Sequence, residues 1–499
     1  LINRAGFGVP TGAIDRLASL SPAEAVGTLV DYDRYPDNLV EPDWLLSHEE
    51  EENRRANFRK ADPEAREKAI NDLRREQREQ VDRLKSWWLD QMRATSRPLQ
   101  EKMTLFWHGH FATSAEKVRE PDYNYGLNQI FRTHATGNFR DLVFEVGKSP
   151  AMLIYLDNRN NRKGEPNENW ARELMELFTM GIGNYTEEDI KEAARAFSGY
   201  TLVKGEFRFV AARHDFGDKT FLGISGPLDG ADVINRLFEQ PAVATHIATK
   251  LWEFFVYENP DKALIEELGA VFRDGDYELK PLLRTIFLSQ EFYSARAVAG
   301  LIKSPAQFLV SLQEQLGLEA PRRSLLTLAS RGLGQDLFYP PNVKGWDGNR
   351  AWINTNTLLT RYNIPAYLVT GKRPTLSPER RLDAMGPEGE GMMEEATMQQ
   401  QQQAEKRAER RARTKPKAAA TLSQLEPLFT PLLGKPCSSA AAALADHFIG
   451  RPLDRQQLDI LSQTLAGDSN DPLLSQALVR QNGPEFLHLL LSIAEYQLC

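Results

Sequence analysis

Helix-start signals recur along this chain, and they restrict the folds open to it more than any other feature. Ser21-Pro22-Ala-Glu24 sets a serine cap before a proline at the first helical position. Arg97-Pro98 opens PLQEKMTLFWHGHF, whose Leu99, Met103, Phe106 and Trp107 share one face and whose Gly109 is expected to end the helix. Pro166-Asn-Glu-Asn169 supplies an asparagine cap with acid in the first turn, and Thr186-Glu-Glu-Asp189 reads as a capping box. The spacing predicts a mainly α protein: a bundle-like body of many helices with a small β-hairpin insert and a C-terminal helical module. The insert is placed at about 200–224, where β-branched and aromatic residues surround Lys204-Gly205 and Phe216-Gly217 and two or three short strands are expected.

Two segments differ from the rest. Residues 49–91 are highly charged and lack glycine, and their apolar residues fall at three- and four-residue steps, as on one long amphipathic helix. Residues 386–420 are low in complexity, acidic first and basic later, and read as a linker or a lone solvated helix. The expected organisation is therefore a helical main body over 1–385, the linker 386–420, and a helical module over 421–499. LLRTIFLSQEFY (282–293) is echoed by FLHLLLSIAEYQ (486–497), which suggests a duplicated helical unit.

Composition excludes several classes. With 61 Lys+Arg against 69 Asp+Glu the formal charge is −8, so a nucleic-acid partner is not expected. Cys437 and Cys499, the two cysteines, exclude a disulfide framework and a cysteine-built zinc site. No stretch reaches the roughly 18 apolar residues of a transmembrane span. The opening Leu1-Ile-Asn-Arg lacks an initiator Met and reads as a fragment or processed chain. The glycine-rich nucleotide loops, G-x-S-x-G and H-E-x-x-H are all absent.

Three stretches could carry chemistry. The first runs from Asp157 to Glu176 and holds Asp157, Asn167, Glu168, Asn169, Arg172 and Glu173. Its part from Asp157 to Glu168 has the length of an EF-hand loop, but Arg162 stands where that loop requires glycine. An oxygen-rich cation loop competes with a plain solvated loop and capped helix. Glu173 and Glu176 can be read as paired carboxylates or as partners of Arg172, including Arg172–Glu176 at i,i+4. The second is His108-Gly-His110, which can ligate one metal only if the helix breaks at Gly109, since residues two apart on a helix point about 200° apart. His214, followed by Asp215 and Lys219, could add a third imidazole. The third is the aromatic loop Tyr339 to Asn354, where Trp346 and Trp352 suit sugar stacking or pin the loop to the core.

These motifs resemble the bacterial family called domain of unknown function 1800. The resemblance is carried by Leu1-Ile-Asn-Arg-Ala-Gly-Phe-Gly8, by Leu105-Phe-Trp-His-Gly-His-Phe-Ala-Thr-Ser114, by Gly137-Asn-Phe-Arg140 and by Tyr155-Leu-Asp-Asn158. Its most specific part is Pro166-Asn-Glu-Asn-Trp-Ala-Arg-Glu-Leu-Met-Glu-Leu-Phe-Thr-Met-Gly181, followed by His214-Asp215, Lys250-Leu-Trp252 and Gly345-Trp346. It covers nearly the whole chain except 49–80 and 386–420. Ser198-Gly199-Tyr200 stands where the family has Thr-Gly-Trp, a departure that touches no candidate ligand or base.

The resemblance implies a mainly helical, exported protein of the periplasm or cell envelope, encoded beside a sulfatase-like partner family, and it carries no reaction. It favours one shared polar site built from 108–110, 157–176 and 214–219. Two readings follow. In the first the protein is a metal-dependent hydrolase of polysaccharide or another envelope polymer. His108, His110, Asp157 and His214 hold a divalent metal, and Glu168, Glu173 and Arg172 are catalytic. Asn167, Asn169, Lys219 and Trp346 bind substrate. In the second it is a non-catalytic scaffold or chaperone for the sulfatase-like partner.

Overall fold

The computed structural model describes residues 1–8, 13–58, 62–318, 323–370 and 422–499. The expected linker, 386–420, lies outside them. The chain is mainly α, with two small antiparallel hairpins as its sheets among the described residues. It divides into two compact units. The first comprises 1–315, 323–353 and 497–499, and the second 316–322 and 354–496. No described helix is long and apolar enough to cross a membrane.

The first unit is built around the helix Pro98–His110, which is buried along almost its whole length, polar residues included. A helix buried all round must satisfy its polar groups inside the protein. Gln100 donates to the Arg132 carbonyl at 3.1 Å, and Thr104 to the Gln100 carbonyl at 2.8 Å. Glu101, with no exposed surface, receives Arg132 Nε at 2.7 Å and Trp88 Nε1 at 3.1 Å. Arg132 also holds Asp37 through two hydrogen bonds of 2.6 and 2.7 Å. Beyond His110 the core continues through Phe111, Phe131, Phe139, Trp170, Phe178 and Trp252, all fully or almost fully buried.

The serine cap at Ser21 and the capping box at Thr186 form as read. Other local expectations are corrected. Gly109 does not end its helix, which runs one residue further. The charged stretch 49–91 forms two helices, His48–Phe58 and Pro63–Ala94. Asp62 caps the second by accepting from the Ala65 amide at 3.0 Å, and Pro63 cannot donate backward into a preceding turn. The buried face of Pro63–Ala94 carries Leu73, Val81, Leu84, Trp88 and Met92 at the anticipated steps. The β insert holds four strands rather than two or three. Tyr200–Val203 pairs with Glu206–Phe209, and Lys219–Phe221 with Ile224–Gly226. Both hairpins turn on two positive-φ residues, Lys204-Gly205 and Leu222-Gly223, the backbone that two-residue hairpin turns require.

The second unit is helical. Thr355–Thr370, Cys437–Phe448, Arg455–Ala466 and Gln476–Ser492 enclose Leu368, Leu444, Phe448, Leu465, Phe486 and Leu490. The sequence echo has a structural counterpart. Leu279–Leu288 in the first unit and Gln476–Ser492 in the second are each followed by a short 3₁₀ turn.

Candidate functional site

The asparagine-rich approach to Asn169 is occupied with holding its own chain. Asn161, buried, donates through Nδ2 to the Ala194 carbonyl at 2.8 Å and to Asn158 Oδ1 at 3.0 Å, and accepts the Asn167 amide at 3.1 Å. Asn167 Oδ1 in turn accepts the Asn169 amide at 2.9 Å, a turn that leads into the helix, whose N-cap position is Glu168 and not the expected asparagine. Asn169 Nδ2 reaches the Leu156 carbonyl at 3.4 Å. Asp157 sits at φ 59° and pairs with Lys117 at 2.5 Å.

The helix Asn169–Glu173 widens into a π-helical turn over Leu174–Thr179. Arg172 does not reach Glu176. It meets Glu187 through two hydrogen bonds of 2.9 and 2.8 Å and Glu168 at 3.1 Å, a cluster open to solvent. Glu173 is half-buried, and burial, reinforced by the neighbouring Glu176, pushes its carboxyl above the usual range. Glu176 accepts a hydrogen bond from the Tyr185 hydroxyl at 2.9 Å.

The histidines separate. With the helix unbroken at Gly109, His108 and His110 face different surroundings. His108 Nε2 accepts the Phe338 amide at 3.0 Å, with its ring edge-on to Trp88 and Phe338, and burial lowers its pKa to about 3. His110 Nε2 lies 3.0 Å from the Phe178 carbonyl, to which it can only donate. His214 lies in the β insert, where Nδ1 donates to the Ser198 carbonyl at 2.8 Å. Its neighbour Asp215 pairs with Arg195 at 2.8 Å, and that guanidinium holds its pKa near 2. Lys219, buried, donates to the carbonyls of Asp215 at 2.5 Å and Gly217 at 3.0 Å, so it braces the insert. His108, His110, Asp157 and His214 thus meet four different partners. No three His, Cys, Asp or Glu side chains among the described residues are grouped as a metal set. Of the stretches 108–110, 157–176 and 214–219, the first two meet at one cleft through Gly109, His110 and Glu176, and no residue of the third lines it.

The cleft lies within the first unit and has a volume of about 1170 Å³. Of the residues singled out in the sequence for their chemistry it takes His110, Glu176, Trp346 and Trp352. Sequence reasoning missed His246, Lys102 and Glu253. His246 donates through Nε2 to the Leu177 carbonyl at 3.1 Å, beside the Phe178 carbonyl used by His110, and the two rings are 6.4 Å apart. The last carbonyls of a helix lack intrahelical partners, and here two imidazoles satisfy two of them. The same bonds fix each neutral ring as the Nε2–H tautomer, leaving the lone pair on Nδ1. Burial lowers the pKa to about 3 for His110 and about 4 for His246, so both stay neutral. A readable signal existed: His246, Lys250 and Glu253 recur at i, i+4 and i+7 in the helix Pro241–Phe255, whose other residues are apolar apart from Thr245 and Thr249.

Trp346 reaches the cleft because its loop lies directly on the end of the 98–110 helix. Gly345, at φ 78°, is so close that a Cβ there would stand 2.1 Å from the Gly109 carbonyl oxygen. Trp352, the loop's second tryptophan, is buried and also lines the cleft.

A family model described as "Protein of unknown function (DUF1800)" matches residues 1–498. No curated protein and no solved structure matches the chain.

Proposed function

The chain belongs to the DUF1800 family, whose description names no reaction, and from its own cleft we propose that it binds a saccharide of an envelope polymer and cleaves it hydrolytically. What carries the reading is the pairing of two neutral, tautomer-fixed imidazoles, His110 and His246, with Trp346 on one cleft. An indole face matches the apolar face of a sugar, and Nδ1 lone pairs accept hydroxyl protons. The volume suits an oligosaccharide better than a single small metabolite. Acid–base chemistry falls to cleft carboxylates, foremost Glu176 and Glu253, and not to the solvent-open cluster of Arg172 and Glu168.

The test is calorimetric titration against a panel of envelope oligosaccharides, with reducing-end release as the activity readout. Trp346→Ala is expected to weaken binding roughly tenfold, about 1.4 kcal/mol. Glu176→Gln is expected to retain binding and lose release. Equal affinity in wild type and Trp346→Ala would remove the saccharide reading.

A further inference from the structure

Lys102 differs from two other buried lysines of the first unit, Lys85 and Lys219. Lys85 is neutralised by Asp336 at 2.6 Å and Asp82 at 3.1 Å, and Lys219 is held by two carbonyls. Lys102 is as buried, 3% exposed, yet its hydrogen-bond acceptor is a single amide oxygen, Gln307 Oε1 at 2.8 Å. That amide is itself oriented, because Gln307 Nε2 donates to the Asn3 carbonyl at 2.6 Å. Phe7 and Phe254 lie 5.3 and 5.4 Å from the nitrogen and make its surroundings apolar. An ammonium carries three donors, so one acceptor leaves it under-satisfied. The residue lines the cleft that also holds His110 and Trp346.

We propose that Lys102 Nζ is a nucleophile that captures the aldehyde of a cleft ligand, the group an aldose exposes in its open-chain form, as an imine. The proposal rests on the cleft being the ligand site, and not on hydrolysis taking place there. The neutral amine attacks the carbonyl carbon, and the carbonyl π pair becomes the hydroxyl of a carbinolamine after one proton moves from nitrogen to oxygen. Loss of that hydroxyl with the remaining N–H proton as water leaves the C=N bond. The amine, one aldehyde, the imine and one water balance, with no oxidant or reductant. Gln307 acts as a positioning residue that holds Nζ at the cleft wall.

Burial favours the reactive form. It lowers the Lys102 pKa to about 8, opposed by the negative charge at Cys499. At pH 7 the neutral fraction is then roughly one in ten, against about one in 2500 for an ordinary lysine near 10.4.

The experiment treats the full chain with D-glyceraldehyde and borohydride at pH 7, which turns any imine into a stable secondary amine, and maps labelled peptides by mass spectrometry. Lys262, with a side chain 91% exposed, is the internal comparator. Labelling at Lys102 is expected to exceed that at Lys262 at least tenfold at pH 7, with the excess shrinking at pH 10. Labelled surface lysines with Lys102 unmodified would overturn the proposal and leave the saccharide reading intact. Preferred labelling of Lys102 in a protein that binds no oligosaccharide would sink the saccharide reading alone. Because the readout is on the wild-type chain, no variant has to fold.

Discussion

Replacing Gly345 by alanine puts a methyl group where the Gly109 carbonyl already stands. The new Cβ would lie 2.1 Å from that oxygen and 3.0 Å from its carbon, whereas ordinary contact begins at 3.4 Å. Both atoms are backbone, so no side chain can swing away, and the loop must retreat by more than 1 Å. Overpacking of this kind costs about 1–3 kcal/mol. The φ of 78° adds about 1–2 kcal/mol for any residue with a Cβ. Gly345→Ala is therefore expected to destabilise the first unit by about 2–5 kcal/mol and to pull Trp346 from the cleft. Gly109→Ala, on the other side of the contact, is the control. Its Cβ meets nothing within 4 Å, and an alanine in a helix is favoured by about 0.5–1 kcal/mol. Urea unfolding followed by tryptophan fluorescence is the suitable assay, because all 8 tryptophans lie at or before residue 352, within the first unit. Gly345→Ala within 0.5 kcal/mol of wild type, or Gly109→Ala the more damaging of the two, would refute the reasoning.

Three further outcomes can be measured. Glu101→Ala strips Arg132 and Trp88 of a fully buried acceptor, and is expected to cost about 3–5 kcal/mol in the same urea assay; a cost below about 1 kcal/mol would contradict the buried network. Burial pushes Glu51 up to about 7, eased by Gln77 and reinforced by the charge of Glu120. Its folded pKa exceeds an unfolded value near 4.3, so its stabilising contribution is present below that value and is lost as pH rises through about 7. The stability of wild type relative to Glu51→Gln should thus fall between pH 5 and 7; a difference that stays constant over that range contradicts it. For His110 and His246 the folded pKa is depressed, so their stabilisation is present above about 6.5 and fades as pH falls toward 4. Nitrogen NMR of the imidazoles should show Nε2–H tautomers that do not titrate between pH 5 and 8, and an Nδ1–H signal would contradict the carbonyl bonds.

What the chain determines by itself is local. Ser21 with Glu24 and Thr186 with Asp189 close within four residues, so their capping geometry is present in the order of letters. The turn at Lys204-Gly205 is legible for the same reason, and the three-and-four spacing of Leu73, Val81, Leu84 and Trp88 marks the buried face without reference to its partner. The polar candidates were legible as residues but not as a site. Asn167, Asp157, His214 and Lys219 could have faced a ligand, and each instead meets a main-chain group or an ion-pair partner that spacing does not reveal. Tertiary structure alone decided that His110 and His246, 136 positions apart, end on adjacent carbonyls of one π-helical turn. It alone set Gly345 on Gly109 and brought Lys102 to the same cleft wall. The physical reason is range: a cap or a turn is satisfied by the nearest few peptide groups, while a polar side chain in a core takes its role from whichever distant group the fold carries to it.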